Sequence, residues 1–226
     1  DNPELVKAKT LGIPVVERAV FLGALLEKYK YPIAVAGTHG KTTTSSMLSL
    51  VLLAAHKDPT ILIGGELSQI GGNYHIGGNE YLPFEACEYV ESFLHFKPFV
   101  SIITNIEEDH LDYFKGLNHI ITSFVKFASL TSDNGCNIVC IDENTTQSIV
   151  QNVKKKAVTY ALNNKNADYT AENITLEKNG CPTFDIFNKD RKVLSVSLNV
   201  AGDHNICNAL GVTAACEFLG IEPEYI

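Results

Sequence analysis

The sequence predicts an α/β fold: a mostly parallel sheet flanked by helices, containing a P-loop, with a small antiparallel β addition toward the C-terminal end. Three observations carry that expectation. Residues 33–36, Ile-Ala-Val-Ala, run directly into Gly37-Thr38-His39-Gly40 and then a helical stretch over 41–55, the strand–turn–helix order of an α/β phosphate site. Apolar strand candidates at 60–63, 81–85, 100–104, 137–141 and 157–160 are interspersed with helical stretches at 117–130 and 143–153, as right-handed crossovers onto a parallel sheet require. From 168 to 200 the apolar period falls to two, with turn signals at Asn179-Gly180 and at 188–190, which predicts antiparallel hairpins.

The remaining elements follow in order. Residues 3–30 read as a short helix, a strand at 13–16 and an amphipathic helix with Val20, Leu22, Leu25 and Leu26 on one side. The glycine-rich stretch 64–78 reads as a mobile loop over a site. A last helix spans 205–219 and is closed by Gly220, while Glu222-Pro223-Glu224 reads as the opening of another.

Composition narrows the class. With 226 residues, 45% hydrophobic and 19% charged, the chain buries a sizeable core and is not a disordered segment. Its net charge of −8 argues against a nucleic-acid groove, which needs surplus Lys and Arg on one face. Six cysteines stand without CxxC pairs or zinc-like spacing, and no secretory signal precedes them, so a reduced cytoplasmic protein is expected. No apolar run approaches the roughly 18 residues that cross a bilayer.

Four segments carry chemistry. Gly37-Thr38-His39-Gly40-Lys41-Thr42-Thr43 lies between a buried strand and a helix. There backbone N–H groups and the helix N-terminus meet an anion, Lys41 adds charge, and Thr42 offers a hydroxyl to Mg²⁺. Val35 stands where the usual P-loop spacing has its first glycine. Phe84-Glu85-Ala86-Cys87-Glu88-Tyr89 and Thr104-Asn105-Ile106-Glu107-Glu108-Asp109-His110 each follow a strand, at the end of the sheet where α/β proteins bind ligands. Their carboxylates and imidazole would complete an Mg²⁺ shell. In the fourth, 202–209, Asn205 and Asn208 share one helical face, and such a carboxamide pair can donate to and accept from an adenine edge.

Together these segments resemble the Mur ligase family, along nearly the whole chain. Residues 37–44 match its phosphate loop, whose shortened GTxGKTT form accounts for Val35. Within the family, five features look most like the alanine-adding branch: the Asn2-Pro3-Glu4 lead-in, Gly12-Ile13-Pro14-Val15, His39 in the loop, 85–89 with Ser92-Phe93-Leu94, and 104–112. The resemblance implies a three-domain, cytoplasmic, ATP-dependent carboxylate–amine ligase with ATP and Mg²⁺ as cofactors. Its partners would be UDP-N-acetylmuramate and L-alanine, with no nucleic acid and no membrane.

Residues 1–31 would then be the tail of an N-terminal UDP-sugar domain and 32–226 the central ATP-binding domain. A chain running from Asp1 to Ile226 would lack the C-terminal domain and be inactive alone. By motif, Lys41, Glu85 and His110 would be catalytic, and Gly37, Thr38, His39, Gly40, Lys41, Thr42 and Thr43 would hold the phosphates. Thr42 and Glu85 would hold one Mg²⁺ and His110 a second, while Asn205 and Asn208 would contact adenine. Two features depart from or extend the pattern. Asp203 stands where relatives often carry a basic or neutral residue, and Lys126 lies near the spacing at which several relatives carry a metal-binding carbamylated lysine. A murein-tripeptide recycling ligase, a folylpolyglutamate synthetase and a non-catalytic nucleotide-binding module are the alternatives; Glu85 and His110 beside the loop argue against the last.

Overall fold

The computed structural model describes residues 2–226. Two short helices lead in, α1 (Pro3–Thr10) and α2 (Arg18–Leu26); Asn2 caps α1 by accepting the N–H groups of Glu4 and Leu5, with Pro3 at the first helical position. The chain then enters β1 (Tyr31–Ala36), turns at 37–40, and continues as α3 (Lys41–Ala54). Strands β2 (Ile61–Leu67), β3 (Gly72–His75), β4 (Tyr81–Glu85) and β5 (Val100–Ile103) follow. Next come α4 (Leu117–Ser129), β6 (Cys136–Cys140), α5 (Asn144–Asn152) and β7 (Ala157–Tyr160). The meander β8 (Tyr169–Leu176), β9 (Pro182–Asn188), β10 (Arg191–Ser197) precedes α6 (Asp203–Phe218).

All ten strands form one sheet in the order β10-β9-β8-β7-β6-β5-β1-β4-β2-β3. Pairing is parallel from β8 through to β2 and antiparallel in β8–β9, β9–β10 and β2–β3, so the expected parallel sheet and antiparallel addition are both present. Central strands of such a sheet are covered on both faces, which is why Ile33, Ala34, Val35 and Ala36 are all fully buried. Alternate residues point to opposite faces. Ile33 and Val35 pack with Leu48 and Leu52 of α3 and Ile206 and Leu210 of α6, whereas Ala34 and Ala36 pack with Leu26 of α2 and Phe124 and Phe127 of α4. The narrower alanine side lets Phe84, Phe93, Phe124 and Phe127 fill the second layer.

The topology fixes the location of the site. From β1 the chain goes first to the β4–β2 side and later to the β5–β6–β7 side. The carboxyl end of β1 is therefore a switch point, flanked by the ends of β4 and β5, where an open α/β sheet leaves a crevice.

Three expectations are corrected. Residues 13–16 form no strand: Ile13, Val15 and Val16 are exposed, no strand runs beside them, and Pro14 has no N–H to donate. The glycine-rich stretch 64–78 is an edge hairpin built of β2 and β3 rather than a loop, with a 3-10 turn at Ser68–Ile70. The segment after Glu222 makes a single turn, with the N–H groups of Tyr225 and Ile226 donating to the carbonyls of Glu222 and Pro223. No helix among the described residues is long and apolar enough to cross a membrane.

Candidate functional site

The loop 37–40 reverses the chain between β1 and α3, and two of its residues have conformations suited to glycine, Gly37 at φ +145° and Gly40 at φ +83°. A Cβ on Gly37 would lie 2.0 Å from Oγ1 of Thr104, so the loop passes flush against the end of β5. That end clamps it. Thr104 Oγ1 donates to the His39 carbonyl (2.7 Å), the His39 N–H donates to Asn105 Oδ1 (2.8 Å), and Asn105 Nδ2 returns a bond to the same carbonyl (3.1 Å). The Thr38 hydroxyl accepts the Glu107 N–H at 2.9 Å, which makes Thr38 an anchor of the loop.

Beyond the loop, Gly40 caps α3 with no side-chain hydrogen bond. The N–H groups of the first helical turn, over Lys41, Thr42 and Thr43, are therefore not taken by a capping side chain, and the helix dipole adds to their pull on an anion. Lys41 lies back across the loop. Its Nζ donates to the carbonyls of Gly37 (2.5 Å) and Thr38 (3.2 Å) and pairs with Glu88 at 3.1 Å, where the Glu88 side chain is only 3% exposed. A carboxylate so buried needs a partner charge.

The end of β4 brings oxygen donors. Glu85 accepts from Thr42 Oγ1 (3.1 Å), Ser45 Oγ (3.2 Å) and the Gly64 N–H (2.5 Å). The hairpin is held against the site here: a Cβ at Gly64 would meet the Glu85 carboxylate at 2.7 Å. Thr42 and Glu85 thus face each other as the oxygen pair that a Mg²⁺ shell needs. A second cluster gathers Glu88, Asp109 and His110, whose ligating atoms all lie within 4.8 Å of one another. His110 takes a left-handed backbone (φ +52°) and packs against Tyr89 with ring centroids 4.7 Å apart and planes tilted by 40°, and Tyr89 donates to Asp112 at 2.8 Å. Both donor sets suit a hard cation, and Lys41 bridges toward the second through Glu88.

Asn205 and Asn208 are buried at the start of α6. Asn205 Nδ2 donates to the Ala201 carbonyl (2.7 Å), and Asn208 Nδ2 donates to Asn205 Oδ1 (3.2 Å). Asn208 also abuts the loop, since a Cβ on Gly40 would come within 3.0 Å of its Oδ1. Beside them opens a cleft of about 310 Å³ whose walls include His39, Asn105, Asp142, Asp203, His204 and Asn208. Asp203 is on this wall, together with Asp142 and Glu143.

The expected residues are therefore gathered around one switch point, in two donor clusters and a cleft. Lys126 stands apart from them: its ammonium bonds Glu91 at 3.5 Å, and Glu91 also accepts from Ser123 and Tyr113. The sequence reading missed the clamp role of Thr104 and Asn105, the Lys41–Glu88 pair, and Asp109 as a cluster member. Position at the end of the strand next to β1 could have singled out the clamp; the Lys41–Glu88 pair spans 47 residues and has no local signal.

Asn105→Ala removes two bonds that fix the His39 peptide. At about 0.5–1.5 kcal/mol each, their loss is expected to lower the melting temperature by a few degrees and to weaken nucleotide affinity roughly tenfold, as thermal denaturation and calorimetry would show.

A mostly parallel α/β sheet with a glycine-lysine loop at its switch point defines the class as a phosphate-loop domain. More narrowly, the chain belongs to the Mur ligase family, matching the Mur ligase middle domain over residues 35–216. It is 50% identical over its full length to a UDP-N-acetylmuramate–L-alanine ligase of Acetivibrio thermocellus, covering 48% of that protein, and 47% identical to the Clostridium tetani protein of the same name, covering 49%. It is similar in structure to the UDP-N-acetylmuramate-alanine ligase of Thermotoga maritima (TM-score 0.83, 30% identity, 97% of this chain and 49% of that one). The UDP-N-acetylmuramate:L-alanyl-γ-D-glutamyl-meso-diaminopimelate ligase from Neisseria meningitides also superposes (TM-score 0.81, 26% identity, 98% and 71%). The chain spans about half the length of the curated relatives it matches. The family is ATP-dependent.

Proposed function

We propose that this chain is the ATP-binding unit of a cytoplasmic ligase that joins L-alanine to UDP-N-acetylmuramate in peptidoglycan precursor synthesis. The observation that supports this most is the juxtaposition of Lys41, the uncapped first turn of α3 and the Thr42–Glu85 pair at one strand end, in a chain half identical throughout to ligases of that name. Residues 32–226 would be the nucleotide-binding domain. Residues 1–31 would belong to the preceding one, a reading supported by the exposure of Leu5, Val6, Leu11, Val16 and Phe21.

The chemistry has one electrostatic obstacle: an anionic carboxylate must approach an anionic phosphate. Bound ATP and Mg²⁺ would supply the γ-phosphoryl group and a divalent charge; the sugar carboxylate would take that group with ADP as the leaving group, and the amine of L-alanine would then displace phosphate from the acyl phosphate. The chain's own residues lower the barrier around that step. Lys41, oriented by the Gly37 and Thr38 carbonyls, sets a positive charge over the loop, and the N–H groups of Lys41, Thr42 and Thr43 meet phosphoryl oxygens. Thr42 and Glu85 would hold one cation, while His110, with Glu88 and Asp109, would hold a second. Asn208, held by Asn205, packs against the loop at Gly40, and the cleft beside them would take the adenine.

Glu85→Gln keeps the shape but removes the charge. It is expected to lower Mg²⁺-dependent nucleotide affinity about tenfold or more and to leave metal-free nucleotide binding unchanged, read by calorimetry with and without Mg²⁺. The substrate assignment is tested on the complete enzyme by following phosphate release from ATP and UDP-N-acetylmuramate with either free L-alanine or the tripeptide as acceptor. Release with L-alanine alone supports the reading; release only with the tripeptide replaces it with the recycling ligase.

A further inference from the structure

Cys140 ends β6 and Cys207 lies in the second turn of α6, and their sulfurs are 3.5 Å apart on the wall of the cleft. Asp142, two residues beyond Cys140, places a carboxylate oxygen within 4.8 Å of both. We infer that Cys140, Cys207 and Asp142 form a site for one thiophilic divalent cation such as Zn²⁺, and that a cation held there competes with nucleotide for the cleft.

Geometry and donor chemistry both carry the inference. Two thiolates on a tetrahedral zinc at about 2.3 Å stand about 3.8 Å apart, so the sulfurs need to move only a few tenths of an ångström. Asp142 is already held: its Oδ2 accepts the Leu162 N–H (2.8 Å), and its Oδ1 accepts those of Asn163 (2.8 Å) and Asn164 (2.9 Å). Such outer bonds are what orient a ligating carboxylate, and three of them leave one of its roughly four acceptor positions for a metal. Sulfur donors also separate this site from the oxygen-and-imidazole cluster of Glu88, Asp109 and His110, which favours harder ions. Among the described residues, no other cysteine belongs to such a donor cluster: Cys136, Cys181 and Cys216 are buried, as Cys140 is, and Cys87 is exposed.

Competition rests on the nucleotide reading above. The same cleft is lined by His39, Gly40 and Asn208, and Asn208 directly follows Cys207. A cation tying β6 to α6 would occupy the wall that a base must use.

The test is a Cd²⁺ titration of the protein, kept reduced with a phosphine, followed by the ultraviolet sulfur-to-metal charge-transfer band and repeated with Zn²⁺ by calorimetry. Cys87→Ser serves as the background, removing the exposed thiol. One equivalent with a thiolate band is expected, with affinity reduced about tenfold or more by Cys207→Ser and by Asp142→Asn. Absence of the band, or equal affinity in Cys207→Ser, overturns the site. Saturating Zn²⁺ is then expected to raise the apparent Kd of a non-hydrolysable ATP analogue about tenfold or more, an effect absent in Cys207→Ser. Unchanged analogue affinity with Zn²⁺ bound overturns the competition and leaves the cation site standing. An analogue that fails to bind even without Zn²⁺ overturns the nucleotide reading and the competition with it, while the charge-transfer titration still decides the cation site.

Discussion

Lys41→Ala is expected to cost the protein twice. In the complete enzyme, turnover should fall about 10²–10³-fold, the usual effect of deleting one preorganised positive or donor group aimed at developing charge. Stability should fall as well, because Glu88 keeps its burial and loses its counter-charge: its side chain is 3% exposed and that of Lys41 18%. Removing one partner of such a pair costs about 3 kcal/mol, or roughly 6–12 °C in Tm for a chain of this size. The two effects separate in the double variant. Lys41→Ala with Glu88→Gln removes the orphaned charge and should regain about half the lost stability or more without regaining nucleotide binding. If the double variant melts as low as the single one, the pair is not what holds that corner together.

Gly37→Ala is expected to be nearly as damaging for a different reason. Its backbone sits at φ +145°, which an alanine adopts only under strain of about 1–3 kcal/mol. The added Cβ would also stand 2.0 Å from Thr104 Oγ1 and 3.1 Å from the Asn105 backbone. The loop must move away from β5, and with it go the bonds from Thr104 and Asn105 to the His39 peptide. Loss of measurable nucleotide binding is expected, with a fall in stability of about 3 kcal/mol. Adding Thr104→Ala removes the worst contact but not the strain, so it should restore part of the stability and little of the binding. Full recovery of both would show that the backbone conformation is not required.

The sheet was legible because its chemistry is local. Mostly apolar runs such as 100–103 and 136–140 call for burial on both faces even though each carries one polar residue, Ser101 and Asn137, and the change to period two at 168 announced the meander. The order of strands was not legible, since nothing in residues 81–85 says that they insert between β1 and β2. The apolar residues at 13–16 misled for a related reason: a strand is made by its neighbour, and none is present. Of the 64–78 glycines, Gly64, Gly65 and Gly77 mark close approach, Gly64 against Glu85, whereas Gly71 and Gly72 face open space at the hairpin turn.

Within the site, the loop was readable because its signal lies in consecutive residues. Cross-chain partners were not: Thr104 and Asn105 meet His39 across 65 and 66 positions. The thiols of Cys140 and Cys207, 67 positions apart, looked scattered until β6 and α6 met.

The central claim is a preformed nucleotide site at the end of β1. Calorimetric titration with a non-hydrolysable ATP analogue, with and without Mg²⁺, on the wild type, Lys41→Ala and Glu85→Ala tests it most directly. Saturable binding that Mg²⁺ strengthens and both substitutions weaken is the expected result. A folded wild-type chain that takes up no analogue, or binds it equally well without Lys41 and Glu85, would contradict it.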